Sequence, residues 1–520
     1  MRFVFPLLLA LSLLIPSAVA GTHSATINST YSPDKLLAIK PELREQVAAN
    51  LPAGMTEYEI EIEVPDVDMT RGVSISGWQR VTVTNTTGEP VGELPFRLYA
   101  NGAHHDRNAI EIDSVQIDDV DIPWSMSVAD SVATVPVAGD LAPGESIVIE
   151  MRFTLTVPVD EASHYGLLNH SSNNDTTVLA HWYPVLAGRD PETGWMLKPT
   201  SQFGDPIFTD AGFYSVTITA PTGRTLITSG VQTAHEIAGN FETVTFNAGP
   251  SRDFVIVMSE SLLAETTEVD GTVISSWFLP QHQSGGEAVL EWTANAVDVF
   301  NPLLGEYPWL ELHAIEAVVY NAAAVELPQM FIMGSSFYNA SDIDRPVTYF
   351  EFTVAHEVVH MWFYSMVGNN QYDYAYIDEG LTNYLSGDVY FREVYGEDVG
   401  DAAHQTFLYR PFQRMIEGNA DVIVDHPTDD FPTSNAYVSA VYSKAPMGFH
   451  AIHMAMGDDP FFTALRTYVE DFSWRVALPA DLEAAFQAQT DVNMRELWSH
   501  WFERREGGLD IRGEAFRWIV

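Results

Sequence analysis

Alternation between apolar and polar positions dominates the first half of the chain. In EYEIEIEV, Glu57, Glu59, Glu61 and Glu63 fall on one face of an extended segment, and Tyr58, Ile60, Ile62 and Val64 on the other. The same period of two recurs in VTVTN, SIVIEMRFTLTV, YSVTITAP, TVTFN and RDFVIVMS, with Gly, Pro, Asn and Asp clusters between them. Residues 56–260 are therefore expected to form an all-β N-terminal domain. After QHQSGGEA the period lengthens. GEAVLEWTANAVDVFNPLL carries helical spacing, YPWLELHAIEAVVYN restores a strand, and from Tyr349 onward the pattern is mainly helical. Residues 261–520 thus predict an α+β domain with a short helical C-terminal tail, and residues 21–55, without clear periodicity, an N-terminal arm.

The first twenty residues add a destination. Arg2, the apolar run FVFPLLLALSLLIP and the small residues Ala18-Val19-Ala20 have the order of a signal peptide cleaved after about Ala20. The run is short for a retained anchor, and no later stretch is long and apolar enough to span a bilayer. The expected location is secreted, periplasmic or at the cell surface.

Composition narrows the partners. A net charge of −46 over 520 residues repels phosphate, which argues against nucleic acid and anionic membranes. Lysine occurs only at Lys35, Lys40, Lys198 and Lys444, and an acid-rich, lysine-poor surface suits salty surroundings that screen its self-repulsion. The absence of cysteine excludes disulfides, thiolate metal sites and a Cys nucleophile. No oligomeric state follows from the sequence.

The candidate chemistry lies in AHEVVHMW. Four residues of α-helix turn 400°, so His356 and His360 project from nearly one face, where two neutral imidazoles can hold one Zn²⁺ with Glu357 beside it. Nineteen residues after His360, YIDEGLTNYL supplies Glu379, expected in the first turn of a second helix facing the histidines. Two His and one Glu leave a coordination position for water, whose proton Glu357 can accept. The competing reading is a buried helix with two satisfied histidines. It leaves Glu357, flanked by Val354, Val358 and Val359, without a purpose for its burial.

At these residues the chain resembles the zinc aminopeptidases typified by aminopeptidase N, marked by HExxH, eighteen residues, then Glu. FNPLLGEYPWLEL, HWYPVLAGRDPETGW and FGDPIF are similar to further segments of compact bacterial and archaeal members, so the likeness extends over roughly residues 55–510. It implies a thermolysin-like catalytic domain, one zinc per chain, and peptide substrates with a free N-terminus. It also implies an oxyanion-stabilising Tyr in a Y-x-K-G pattern, matched by Tyr442 with Lys444 in place and Ala445 for Gly. Tyr437 is the rival. The amine-binding Glu of a G-x-M-E-N segment is matched by Glu326, with Ala323, Val325 and Leu327 in place of Gly, Met and Asn. A β-domain acid or Gln commonly assists that amine site, and the sequence singles none out. The helical cover of larger relatives is largely missing, which implies an open cleft.

Readings of other classes stand beside this one: an endopeptidase or other hydrolase on the same zinc site, or a catalytically silent binding protein. His450 and His453, three apart, could share a helix face as a second metal pair. His104-His105 read as a polar loop, and Trp362, Phe363 and Tyr364 as packing behind the motif helix.

Overall fold

The computed structural model describes residues 31–65, 69–102, 108–201, 203–205, 207–341, 343 and 345–511. The leader, His104 and His105 lie outside them.

The alternating segments assemble into an eight-stranded sheet. Its spatial order is 231–238, 241–251, 212–221, 56–63, 73–84, 146–157, 110–117 and 120–121. Only Thr56–Glu63 and Gly212–Pro221 run parallel within it. Tyr58, Ile60 and Ile62 are buried while Glu59, Glu61 and Glu63 are exposed, the one-sided burial that period-two patterning produces. Two four-stranded sheets and a two-stranded pair, 189–190 with 194–195, complete this part, and its main core is an apolar cluster around Ile60, Val81, Phe96, Phe153, Trp182 and Val216.

A five-stranded sheet begins at Leu263. Its order is 263–269, 272–278, 311–317, 330–334 and 324–327, with parallel pairing at the centre and antiparallel pairing at both edges. Helix Gln283–Leu304 covers it, and the remainder is helical apart from two short paired strands. The core of this second part includes Leu36, Ala38, Ile39 and Val47 from the arm. The arm is tied down by an Ile39–Trp309 bridge and by the wholly buried Lys40, whose Nζ lies 2.9 Å from Glu306 Oε1.

Two joints fix one part against the other. A third apolar cluster packs Leu167, Val178, Ile227 and Val257 against Ile315, Val325, Leu327 and Ile332, seating strand Ala324–Leu327 on the β region. Arg252, fully buried, donates to four carbonyls: Thr209 O at 3.0 Å, Tyr364 O at 2.6 Å, Met366 O at 3.2 Å and Arg475 O at 2.7 Å. Gly368 makes room for that guanidinium, because a Cβ there would stand 2.4 Å from Arg252 Cζ.

Candidate active site

The motif helix spans Tyr349–Val359 and starts on Thr348, whose side chain accepts from Glu351 N. Phe350 to Val359 are all buried, Glu351, His356 and Glu357 included, so the helix is enclosed by its neighbours on every face. The helix ends at Val359, and His360 is its C-cap. The reason is local: His360 Nδ1 bonds Phe363 O at 3.0 Å, and Tyr364 adopts a φ of 126° that no α-helix continues. Asn370 then caps a short helix at Gln371–Tyr374, and the chain returns to start helix Glu379–Tyr384 at Glu379 itself.

This path brings His356, His360 and Glu379 together. His356 Nε2 lies 3.1 Å from His360 Nε2 and 3.1 Å from Glu379 Oε2, and His360 Nε2 is 3.4 Å from that same oxygen. The Phe363 carbonyl occupies His360 Nδ1 and leaves Nε2 free to ligate, the arrangement that orients metal-binding imidazoles. Glu357 is buried with Oε2 lacking any hydrogen-bond partner.

Tyr442 reaches the same point, its hydroxyl donating to Glu379 Oε1 and its ring 6.3 Å from that of His356. Tyr437 also lines the cleft, but its hydroxyl is buried, without a hydrogen-bond partner, and turned toward Gly204. The neighbours of Tyr442 explain its motif. Lys444 is wholly buried and donates to Asp421 Oδ1, Val422 O and Arg504 O at 2.6–2.7 Å. Ala445 packs so closely on Gly380 that a Cβ at 380 would sit 2.6 Å from the Ala445 methyl.

Glu326 enters from the edge strand Ala324–Leu327. A carboxylate the sequence did not single out, Asp205, stands beside it; oxygens of Asp205, Glu326 and Glu379 lie within 4.8 Å of one another. Its signal was present as the one acid in FGDPIF, but only folding places that β-region loop opposite the strand of Glu326. Asp205, Glu326, His356, Glu357, Glu379 and Tyr442 line one cleft of about 1050 Å³, walled by Phe203, Phe337, Tyr349, Phe352 and Phe407. Trp362 and Phe363 are buried behind it in the core.

The electrostatics are those of crowded acids. Burial, then the charges of Asp205, Glu379 and Glu357, push Glu326 well above the usual carboxylate range. Burial first, and then Glu379, push Asp205 to about 6. Glu357 is pushed up to about 8 by burial, with Glu379 and Asp205 adding to the rise against the opposing His360. Burial would raise Glu379 too, but its hydrogen bonds to His356 and His360 hold it well below the usual range. No lysine or arginine among the described residues touches these four carboxyl groups. A divalent cation between the two Nε2 atoms and Glu379 answers that imbalance, and two neutral imidazoles with one carboxylate suit zinc.

A β-rich domain joined to an α+β domain whose helix presents two His, with Glu from the next helix, defines a two-domain metallopeptidase scaffold. Residues 288–501 match the Peptidase family M1 domain. The chain is similar to this aminopeptidase N-like zinc peptidase family. It is 24% identical over 342 residues to a membrane alanyl aminopeptidase of Heliothis virescens, covering 59% of this chain and 33% of that one. It is 22% identical over 203 residues to aminopeptidase N of Haemophilus influenzae, covering 38% and 23%. The chain therefore spans a third or less of the length of these two relatives. The M1 zinc metallopeptidase of Deinococcus radiodurans shares the fold, with a TM-score of 0.63 at 17% identity over 87% of this chain and 94% of that one. A variant of that enzyme has been solved with a Tyr-Ser-Ala substrate, at a TM-score of 0.61 and 17% identity over 87% and 95%.

Proposed function

We propose that this protein is an exported zinc aminopeptidase that removes N-terminal residues from peptides. His356, His360 and Glu379 would hold the zinc, which when bound acidifies water and polarises a carbonyl. Glu357 takes the proton of the attacking water and returns it to the leaving amine. The Tyr442 hydroxyl donates to the oxygen on which negative charge develops. Glu326 and Asp205 receive the substrate's ammonium group, and the cation they gain offsets the repulsion between them.

The observation that carries an exopeptidase reading is this carboxyl pair, which lines the cleft with oxygens within 4.8 Å of Glu379. A free N-terminus has two acids to meet there, whereas an acylated one would strand them. The test is cleavage of one peptide with a free and with an acetylated N-terminus. The free form should be preferred by at least about a hundredfold, and Glu326→Ala should remove most of that preference by raising KM. Equal cleavage of both forms would favour an endopeptidase. Glu357→Gln should keep its zinc and lose turnover by about a thousandfold or more; near-full activity would overturn the mechanism. A bound peptide left intact by the wild type would support the silent-binder reading. Export rests on the leader composition, and a mature protein beginning at about Gly21 would support it.

A further inference from the structure

Beyond the cleft lies a second set of metal-competent side chains, contributed by three helices. Asp388 sits in a π-helical turn, Leu385–Tyr390, that continues the helix of Glu379. His404 opens another such turn, His404–Tyr409, and His450 lies in helix Ala445–Met456, which follows Tyr442. Asp388 Oδ2 is 2.7 Å from His404 Nδ1 and 3.6 Å from His450 Nδ1, and the imidazole centroids are 4.4 Å apart. One donor atom from each of the three residues falls within 4.8 Å of the other two.

The same molecule provides the yardstick. In the family metal set the corresponding separations are 3.1, 3.1 and 3.4 Å. Around tetrahedral zinc, bonds of about 2.0–2.1 Å place ligand atoms roughly 3.3 Å apart. Both sets bracket that value. The expected pairing of His450 with His453 does not form. His453 instead bonds Tyr384 OH at 2.5 Å and Asp458 at 2.9 Å.

An internal ion-pair network explains only part of this cluster. Arg392 Nε binds Asp388 Oδ1 at 3.0 Å and thereby aims Oδ2 at the histidines, as an outer-shell partner orients a ligating carboxylate. Arg392 also pairs with Glu397 and Asp401, so three carboxylates surround one guanidinium and the neighbourhood favours an added cation. His450 Nδ1 is left over, buried and without a hydrogen-bond partner. Burial, then the nearby His404, push its pKa down to about 3, so the imidazole is neutral and offers a lone pair at any ordinary pH.

We propose that Asp388, His404 and His450 form a second, structural site for a divalent transition metal, clamping the Glu379 helix to the helix behind Tyr442. Two imidazoles and one carboxylate select zinc, cobalt or nickel over calcium or magnesium. The site stands independently of the catalytic reading, and it raises the expected zinc content from one to two equivalents per chain.

Metal analysis of the full chain, equilibrated with micromolar Zn²⁺ and freed of excess, tests this. Wild type should hold two equivalents, His450→Ala one, and His360→Ala one. Zinc should raise the melting temperature of the His360→Ala protein, and adding His450→Ala should abolish that rise. A single equivalent in wild type that His360→Ala removes would overturn the proposal. So would two equivalents persisting in His450→Ala. If His450→Ala does not fold, His450→Gln keeps the volume and decides by the same count. Loss of the family site alone would appear differently, as a stoichiometry that His360→Ala leaves unchanged.

Discussion

Replacing Arg252 with Met keeps the aliphatic stem and removes the donors that reach Thr209 O, Tyr364 O, Met366 O and Arg475 O. Two of these bonds, at 2.6 and 2.7 Å, are short and charge-assisted. The carbonyls left behind are buried, and each unmet acceptor costs about 1–3 kcal/mol. Relief from burying a guanidinium, and water entering the gap, return part of this. A net loss of about 4 kcal/mol follows, within the range for breaking a buried charged network. At about 1.4 kcal/mol per decade, that lowers the folding equilibrium of the coupled unit roughly a thousandfold. The damage should also reach the metal set. Tyr364, held by Arg252, follows Phe363, whose carbonyl orients His360, so zinc affinity should fall by about tenfold. Urea unfolding followed by both tryptophan fluorescence and circular dichroism measures the first effect, because two-part proteins need two probes. Competition against a chelator of known affinity measures the second. A stability loss below about 1 kcal/mol with unchanged zinc affinity would refute the view that this guanidinium staples the two parts together.

Glu351 is buried beneath Tyr390 and Tyr395, whose hydroxyls donate to its Oε1, and burial pushes its pKa up to about 7 despite those bonds. Between the unfolded carboxyl value and pH 7 the folded state binds the extra proton, so stability falls as pH rises through that window. Glu351→Gln keeps the acceptor and should stabilise the protein by up to about 3 kcal/mol at pH 8 but little at pH 4; thermal unfolding at the two values checks this, and equal shifts at both would contradict it. Arg414 is the only Lys or Arg among the described residues lining the cleft, which holds its acids around Glu326. Arg414→Glu should raise KM about tenfold for short peptides ending in a free carboxylate but not for their amides or for aminoacyl anilides; the same rise with amides would discount a charge role. Tyr442→Phe should lower kcat by about a hundredfold and Tyr437→Phe by less than tenfold, since only the former hydroxyl reaches Glu379. Steady-state kinetics on one anilide would expose the reverse order.

Burial periodicity is a property of the local chain, so the strands of the β region, the helical second half and the paired imidazoles of AHEVVHMW were legible from residues 56 onward. Glu379 was legible for a related reason: a fixed number of residues carries the chain from one helix to the start of the next. Tyr442 and Glu326 were reachable only through likeness to a family, because nothing in their own neighbourhoods marks a phenol or a carboxylate as functional. Asp205, Arg252 and the Asp388–His404–His450 cluster belong to tertiary structure alone. Asp205 meets Glu326 across 121 positions of chain, and Arg252 meets Tyr364 across 112. Such proximities arise from how a sheet seats on a sheet and a helix on a helix, through apolar faces whose mutual fit no local pattern records. The sequence by itself determined which elements form and which residues are expected to hold a metal. Only the packed structure decided which distant carboxyl stands beside Glu326, which guanidinium joins the two parts, and which histidine nitrogen is left without a hydrogen-bond partner.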